Sequence, residues 1–322
     1  MNKPLAVAVL LGGRSPEREV SLRSGEAVYQ ALREKGFDAW KVDARDNLVE
    51  SLLQRRPDVV FIALHGTYGE DGTVQGLLEI LGLPYTGSGV LASAVAMNKI
   101  VTKRLLLQAG LPTAPFIVLD REETQDRPLA ALAEELLLRF RGRVVIKVPH
   151  QGSSIGVYPA KEVEEALRAL ELCLAESKEV LVEKYLPGAE ITAAVIGNER
   201  PRVLPLIEIV PARGSYDYEA KYTPGGSEHL IPPRLAPAVQ EEIARLALTV
   251  YRVLGCAGFA RVDLRLDEVG RPMILEVNTI PGLTETSLVP DAARAAGIEF
   301  ADLVAELVRL ALEKAALGKK PV

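Results

Sequence analysis

Residues 5–11 and 59–64 of this chain are apolar at every position, and both runs are too short for a helix. A strand with no polar face must be covered on both sides, as strands of parallel sheets are. Amphipathic patterns near 20–35, 46–55 and 73–81 supply covering helices, and residues 38–42 read as another strand. Ser15-Pro16 carries a capping residue and a first-turn proline, and Pro84-Tyr-Thr-Gly87 closes the unit. Alternation with short connections implies a doubly wound parallel sheet, with its ligand crevice beyond the strands' C-terminal ends. The loops there, residues 12–17 and 65–72, carry Glu17 and His65. Glu17 and Glu19 also suit a helix dipole, worth at most about 1 kcal/mol. His65 equally suits a satisfied structural histidine, so both readings stand.

Beyond a helix near 90–109 and Gly110-Leu-Pro112, the pattern changes to short strands around helices. Strands at 144–148, 156–158 and 180–185 flank a helix near 161–175. Longer strands follow at 190–196 and 203–210, with helices near 237–254 and 299–316. Arg261-Val-Asp263-Leu-Arg265-Leu and Met273-Ile-Leu-Glu276-Val-Asn278 both alternate polar and apolar residues across a turn-like Asp267-Glu-Val-Gly270-Arg. They read as a hairpin with one buried face. A turn centred near Val269-Gly270 sets Asp263 opposite Glu276 and Arg261 opposite Asn278. Like charges opposed at about 5 Å are destabilising. A hard divalent cation on two carboxylates and an amide oxygen removes the conflict, and Mg²⁺ binds in this way. The alternative is a solvated face on which Arg261 and Arg265 pair with the acids, but that leaves Asn278 without a purpose.

Three further segments can carry chemistry. Lys147-Val-Pro-His-Gln-Gly152-Ser153-Ser154-Ile-Gly156 joins two strands and has the glycines, hydroxyls and cation of an anion cradle. A Gly/Ser turn explains it equally well. Glu183-Lys184-Tyr185-Leu186 and Glu190 end a strand, where they fit a nucleoside or a plain charged edge. Tyr216-Asp-Tyr218-Glu-Ala-Lys221-Tyr222-Thr-Pro lacks periodicity, and its aromatic content suits a lid.

Composition narrows the classes. With 38 basic against 43 acidic residues and a net charge of −5, no nucleic-acid footprint is expected. No apolar run reaches the ~18 residues that span a bilayer. Residues 5–11 have the apolarity of a signal-peptide core but no small-residue cleavage site behind them. Cys173 and Cys256 are the only cysteines, too few for a zinc site or a disulfide framework. A cytoplasmic protein is expected, with Cys173 in a helix core rather than acting as a nucleophile. The first unit invites a dinucleotide reading, but Gly12-Gly13-Arg-Ser-Pro-Glu lacks the third glycine of that fingerprint.

Taken in order, several segments resemble the D-alanine–D-alanine ligase family of the ATP-grasp superfamily. They are residues 11–21, Ala63-Leu-His-Gly-Thr-Tyr-Gly-Glu-Asp-Gly72, Met97-Asn-Lys99, residues 151–156, residues 216–222, Arg261-Val-Asp263, Glu276-Val-Asn278 and residues 281–290. The resemblance implies an ATP-grasp α/β and α+β fold. An N-terminal doubly wound domain (1–103) would precede a central domain (104–186) and a C-terminal domain (187–322) with a lid at about 213–229. It implies ATP-dependent joining of two D-alanines through an acyl phosphate, in a cytoplasmic homodimer. Two Mg²⁺ or Mn²⁺ ions would sit on Asp263, Glu276 and Asn278. Lys99, Lys147, Ser153, Ser154 and Lys221 would surround the phosphates. Glu183, Lys184, Leu186 and Glu190 would take the adenosine. Glu17 and His65 would hold the first D-alanine, and Ser287 and Leu288 the second carboxylate. Arg261 and the Gly282 N–H would form the oxyanion hole, with Ser153, Tyr222 and Glu17 closing the lid. Tyr222 stands where a D-alanine–D-lactate ligase is expected to carry histidine. Ile280, often a small residue in relatives, and Glu285 depart from the pattern.

Overall fold

The computed structural model describes residues 3–152, 156–211, 226–284 and 286–317. The first unit runs β1 (Ala6–Leu11), α1 (Arg18–Glu34), β2 (Asp38–Asp43), α2 (Leu48–Gln54), β3 (Val59–Ile62) and α3 (Thr73–Ile80). Its strands are parallel in the order β2-β1-β3. Alternation along β1 and β3 sends Val7, Val9, Val59 and Phe61 to one face, where α1 packs. Ala8, Leu10, Val60 and Ile62 face the other way, against Leu52 of α2 and Leu78 of α3. The two-sided apolar runs are thus doubly wound. Glu17 is the N-cap position of α1 rather than a first-turn residue, and its side chain makes no capping bond.

The expected helix at 90–109 is two helices, α4 (Val90–Met97) and α5 (Lys99–Gln108). Asn98 is extended between them, and its Oδ1 accepts from the Ile100 and Val101 N–H groups at 3.0 and 3.1 Å. An N-cap overrides continuous apolar periodicity here.

The central unit is β4 (Phe116–Asp120), α6 (Arg121–Thr124), α7 (Leu129–Arg139), β5 (Val144–Lys147), β6 (Val157–Ala160), α8 (Val163–Glu176) and β7 (Glu179–Lys184). Its antiparallel sheet has the order β4-β7-β5-β6. Val144, Ile146, Val180 and Val182 bury against α7 and α8, so Lys147 and Glu183 take the opposite face. Cys173 lies in that core, where burial pushes its thiol up to about 12.

The last unit holds β8 (Glu190–Ile196), β9 (Arg202–Val203), β10 (Ile207–Pro211), β11 (Ser227–Leu230), α9 (Pro237–Val253), β12 (Phe259–Leu266), β13 (Pro272–Asn278), α10 (Leu288–Ala295) and α11 (Phe300–Leu317). The expected strand at 203–210 is split into β9 and β10, while β4, α7 and α10 were not anticipated. The sheet order is β11-β10-β8-β12-β13, with β9 beside β8. Ala260, Val262 and Leu264 bury against α9, leaving Arg261, Asp263 and Arg265 on the other face. Ile280 is buried with Leu10 and Ile62, so its bulk fills the first unit's core. Among the described residues, no helix is long and apolar enough to cross a membrane.

Helix α11 does not stay with its own sheet. Leu303, Val304, Leu307 and Val308 join the core formed by Val7, Val9 and Phe61. Leu307→Ala should therefore destabilise the first sheet, by roughly 2–5 kcal/mol. Urea unfolding with amide exchange checks this: β1 amides should lose protection along with α11. A variant losing protection only in α11 would contradict the shared core.

Candidate active site

Glu17 and His65 from the first unit, Gly152 from the Gly-rich loop, Arg261 and Glu276 from the hairpin, and Ser287 beyond it line one cleft.

The hairpin supplies most of its charge. Asp263 pairs with Glu276 and Arg261 with Asn278, as expected. Next to the turn the register is one residue off the expected one: Leu266 faces Pro272 and Leu264 faces Ile274. Continued unchanged, that register would set Glu276 opposite Val262, on the apolar face. A bulge between Asp263 and Leu264 leaves Leu275 as the extra residue and restores Glu276 to the polar face.

Asp263 is 7% exposed and crowded with donors. Arg261 Nε and Nη2 donate to its two oxygens at 2.8 and 2.7 Å. Thr192 Oγ1 donates at 2.6 Å from the neighbouring strand, and Asn278 Nδ2 at 3.0 Å. Lys99 Nζ stands 3.0 Å from Glu276 Oε2 and donates to the Gln151 carbonyl at 2.7 Å. Arg265 turns away, with Nη1 3.6 Å from Glu190 and Nε donating to the Gly188 carbonyl. Of the salt-bridged alternative, the Arg261–Asp263 half is present, while Arg265 stands by Glu190. Among the described residues no three His, Cys, Asp or Glu side chains converge as a metal cluster. The donor set is two carboxylates and an amide oxygen, all hard ligands of the kind Mg²⁺ takes alongside substrate oxygens.

Glu17 is buried at 6% exposure. Ser15 Oγ accepts from the Glu17 N–H and donates to the His65 carbonyl at 2.6 Å, fixing both loops. A Cβ on Gly152 would stand 2.9 Å from Glu17 Oε2, so the Gly-rich loop reaches this carboxylate only because it has no side chain there. His65 Nε2 lies 3.1 Å from Ser24 Oγ and Nδ1 3.5 Å from Glu70 Oε1. The Leu283 N–H donates to the same Ser24 hydroxyl at 3.4 Å. Glu70, which also accepts from the Gly66 N–H at 3.1 Å, lines the cleft and was not singled out from the sequence. Its signal was the polar end of the His65–Gly72 loop. Gly282 lies on the cleft wall with its Cα side against Ser287, where a Cβ would meet Oγ at 2.9 Å. Ser287 Oγ accepts from the Thr284 N–H at 3.0 Å at the start of α10, and Leu288 is buried behind it.

Glu183 is 1% exposed and lies between two lysines. Lys103 Nζ is 2.5 Å from Oε1, and Lys147 Nζ pairs with Oε2. Burial opposes all three charges. It pulls the Lys103 ammonium below its ordinary value. At Lys147 the attraction of Glu183 outweighs burial and holds the ammonium above its ordinary value. The two lysines likewise overcome burial at Glu183 and keep it well below the usual carboxylate range. Lys103 was not anticipated, because nothing in its sequence surroundings distinguishes it from a surface lysine of α5. Lys184 pairs with Glu268, and Leu186 is buried at the strand's end. Ser153, Ser154, Lys221 and Tyr222, with most of the expected lid and Glu285, lie outside the described residues.

Known proteins resemble this chain over nearly its whole length. The family model described as D-ala D-ala ligase C-terminus matches residues 105–309, and that described as D-ala D-ala ligase N-terminus matches residues 38–88. A D-alanine–D-alanine ligase of Pelotomaculum thermopropionicum is 52% identical over 98% of this chain and 99% of its own. One of Desulforudis audaxviator is 55% identical over 96% and 99%. The crystal structure of the Bacillus anthracis ligase superposes with a TM-score of 0.84 at 32% identity, covering 98% of this chain and 99% of that one. Its complex with ATP gives 0.78 at 30% identity, covering 97% and 99%. With the ordered motifs, the ATP-grasp fold and full-length relatives in agreement, this chain belongs to the D-alanine–D-alanine ligase family.

Proposed function

We propose that this protein joins two D-alanines into D-alanyl-D-alanine, a peptidoglycan precursor, at the expense of ATP. The observation that carries the reading is one cleft in which a buried carboxylate, Glu17, faces the Arg261, Glu276 and Asn278 side of the hairpin. A free carboxylate is a poor electrophile. The γ-phosphoryl group of ATP bonds to a carboxylate oxygen of the first D-alanine as its bond to ADP breaks, giving an acyl phosphate. Positioning and charge neutralisation dominate such transfers. The amine of the second D-alanine then attacks the acyl carbon, loses a proton, and phosphate departs.

Each group has a task in this scheme. Glu17 holds the first ammonium, and His65, fixed by Ser24 and Glu70, shapes its pocket. Lys99, Lys147, Ser153, Ser154 and Lys221 surround the phosphates, while Glu183, Lys184, Leu186 and Glu190 take the nucleoside. Asp263, Glu276 and Asn278 would hold two Mg²⁺ or Mn²⁺ ions, whose chemistry is neutralisation of phosphate charge. Arg261 and the Gly282 N–H face the developing oxyanion. Ser287 and Leu288 receive the second carboxylate at the start of α10, where the helix dipole favours an anion. The units 1–103, 104–186 and 187–322 contribute the amino-acid, nucleotide and catalytic walls. A cytoplasmic homodimer fits the cysteine usage and the family.

Phosphate release over a panel of D-amino acids and D-lactate tests the whole reading, which predicts ATP-dependent release with D-alanine above all. Arg261→Ala should lower kcat by about 10²–10³, the usual cost of one oxyanion donor. An unaltered kcat in the folded variant would remove Arg261 from that role. Glu276→Gln should raise the Mg²⁺ concentration needed for half-maximal turnover by tenfold or more, with thermal unfolding unchanged. A metal titration coinciding with wild type would contradict the assignment. The family resemblance implies that Tyr222 meets Ser153 when nucleotide binds. Its neutral hydroxyl leaves an amine acceptor unopposed, and dipeptide yield should rise from pH 6 to 9 as that amine deprotonates. Tyr222→Phe should lose most activity, and Tyr222→His should gain some depsipeptide synthesis near pH 6. Product analysis with D-alanine and D-lactate in competition decides; a wild type that makes mainly depsipeptide refutes the lid assignment.

A further inference from the structure

Lys103 is a fully buried charge, paired with Glu183, that the reaction scheme leaves idle. It is 0% exposed, and its ammonium is held on every side. It lies 2.5 Å from Glu183 Oε1, donates to Thr113 Oγ1 at 2.6 Å, and stands 5.1 Å from the centre of the Phe116 ring. Thr113 Oγ1 passes the chain on, donating to the Ile274 carbonyl of β13 at 2.7 Å. Lys103 thus joins α5, the entrance to the central unit, β7 and the hairpin of the last unit.

Glu183 has two cations for one carboxylate, and they differ in freedom. Lys103 is enclosed by protein. Lys147 ends β5 at 8% exposure, at the base of the Gly-rich loop. Its opposite neighbour is Leu181, and it meets Glu183 diagonally along one face of the sheet. Removing the sole partner of a buried ion is strongly unfavourable. A Lys147 paired alone with Glu183 would be locked to it. With Lys103 also present, Lys147 can leave and the carboxylate remains neutralised.

We propose that Lys103 is a positioning residue for the nucleotide: it holds the Glu183 carboxylate so that the Lys147 ammonium can pass from Glu183 to the phosphate oxygens of ATP. The inference rests on the nucleotide site assigned above. It separates Lys103 from a packing role, because its effect falls on the phosphates and not on the nucleoside. It also fixes the sign of its coupling to Glu183: once the carboxylate is gone, Lys103 has nothing to hold.

The experiment is calorimetric titration of ATP, ADP and adenosine, with Mg²⁺, into the full chain and its variants. Lys103→Met removes the ammonium, keeps an unbranched side chain one atom shorter, and leaves a one-to-one Glu183–Lys147 pair. ATP and ADP affinity should fall at least tenfold while adenosine affinity stays within twofold. The double variant Lys103→Met/Glu183→Gln frees Lys147 again and, although the loss of Glu183 weakens the nucleoside contact, should regain at least threefold in the ratio of ATP to adenosine affinity over the single variant. Wild-type ATP affinity in Lys103→Met overturns the proposal. So does a parallel loss of adenosine, or a double variant whose ratio of ATP to adenosine affinity is no higher than the single's. If Lys103→Met does not fold, Glu183→Gln is compared with the double variant. A change in ATP affinity under twofold supports the proposal, and a tenfold change overturns it by making Lys103 act on the phosphates directly. A wild type that binds ATP no better than adenosine instead refutes the nucleotide site itself.

Discussion

One inserted residue decides which face of β13 carries charge. With the register that leaves the turn, Glu276 would point with Val262 into the apolar core beneath α9. The extra Leu275 shifts the pairing by one and sets Glu276 and Asn278 beside Arg261 and Asp263. Two carboxylates facing each other are tolerable only with cations and donors close by, and the fold provides them from elsewhere. Arg261 is on the same strand, Thr192 on the next strand, and Lys99 at the start of α5. The hairpin's polar face is therefore an assembly of at least three elements, and its charges have no other place to go once Val262 and Leu264 are buried.

The same dependence on distant partners runs through the rest of the cleft. Glu17 belongs to the first sheet's loop, yet Gly152 of the central unit rests on it. Ser24 on α1 is shared between His65 and the Leu283 N–H of the segment before α10. The cleft is lined by short-range contacts whose two ends come from different units, so the units must be docked before any of these groups is in place.

The sequence revealed what depends on period and failed where a partner is remote. Alternation in residues 261–266 and 273–278 placed Arg261, Asp263, Arg265, Glu276 and Asn278 on one face, and doubly apolar runs announced the covered parallel strands. The bulge at Leu275 was missed, although the three consecutive apolar residues Met273-Ile-Leu275 break the alternation of a regular two-faced strand. Asn98 sat inside twenty residues of helix-like pattern, and only its side-chain cap shows the break. Helix α10 hid because Leu288-Val-Pro290 reads as a strand end, although proline within a first helical turn is well tolerated. Glu183 could be placed on a face by its register, but not as buried, because Lys103 lies eighty positions earlier. The assignment of D-alanine and ATP to particular residues came from family resemblance, not from any spacing.

The docking of α11 on the first sheet bears on how the chain is made. Val7, Val9, Val59 and Phe61 are synthesised more than two hundred residues before Leu303, Val304 and Leu307, which complete their core. Until those arrive, one face of a three-stranded sheet is only partly covered, by α1. Such transiently bare apolar surface is a characteristic route to aggregation in larger proteins. The molecule's first sheet is thus finished last, and a ribosome-bound chain lacking α11 is an unfinished substrate for chaperones, not a folded domain awaiting its neighbours.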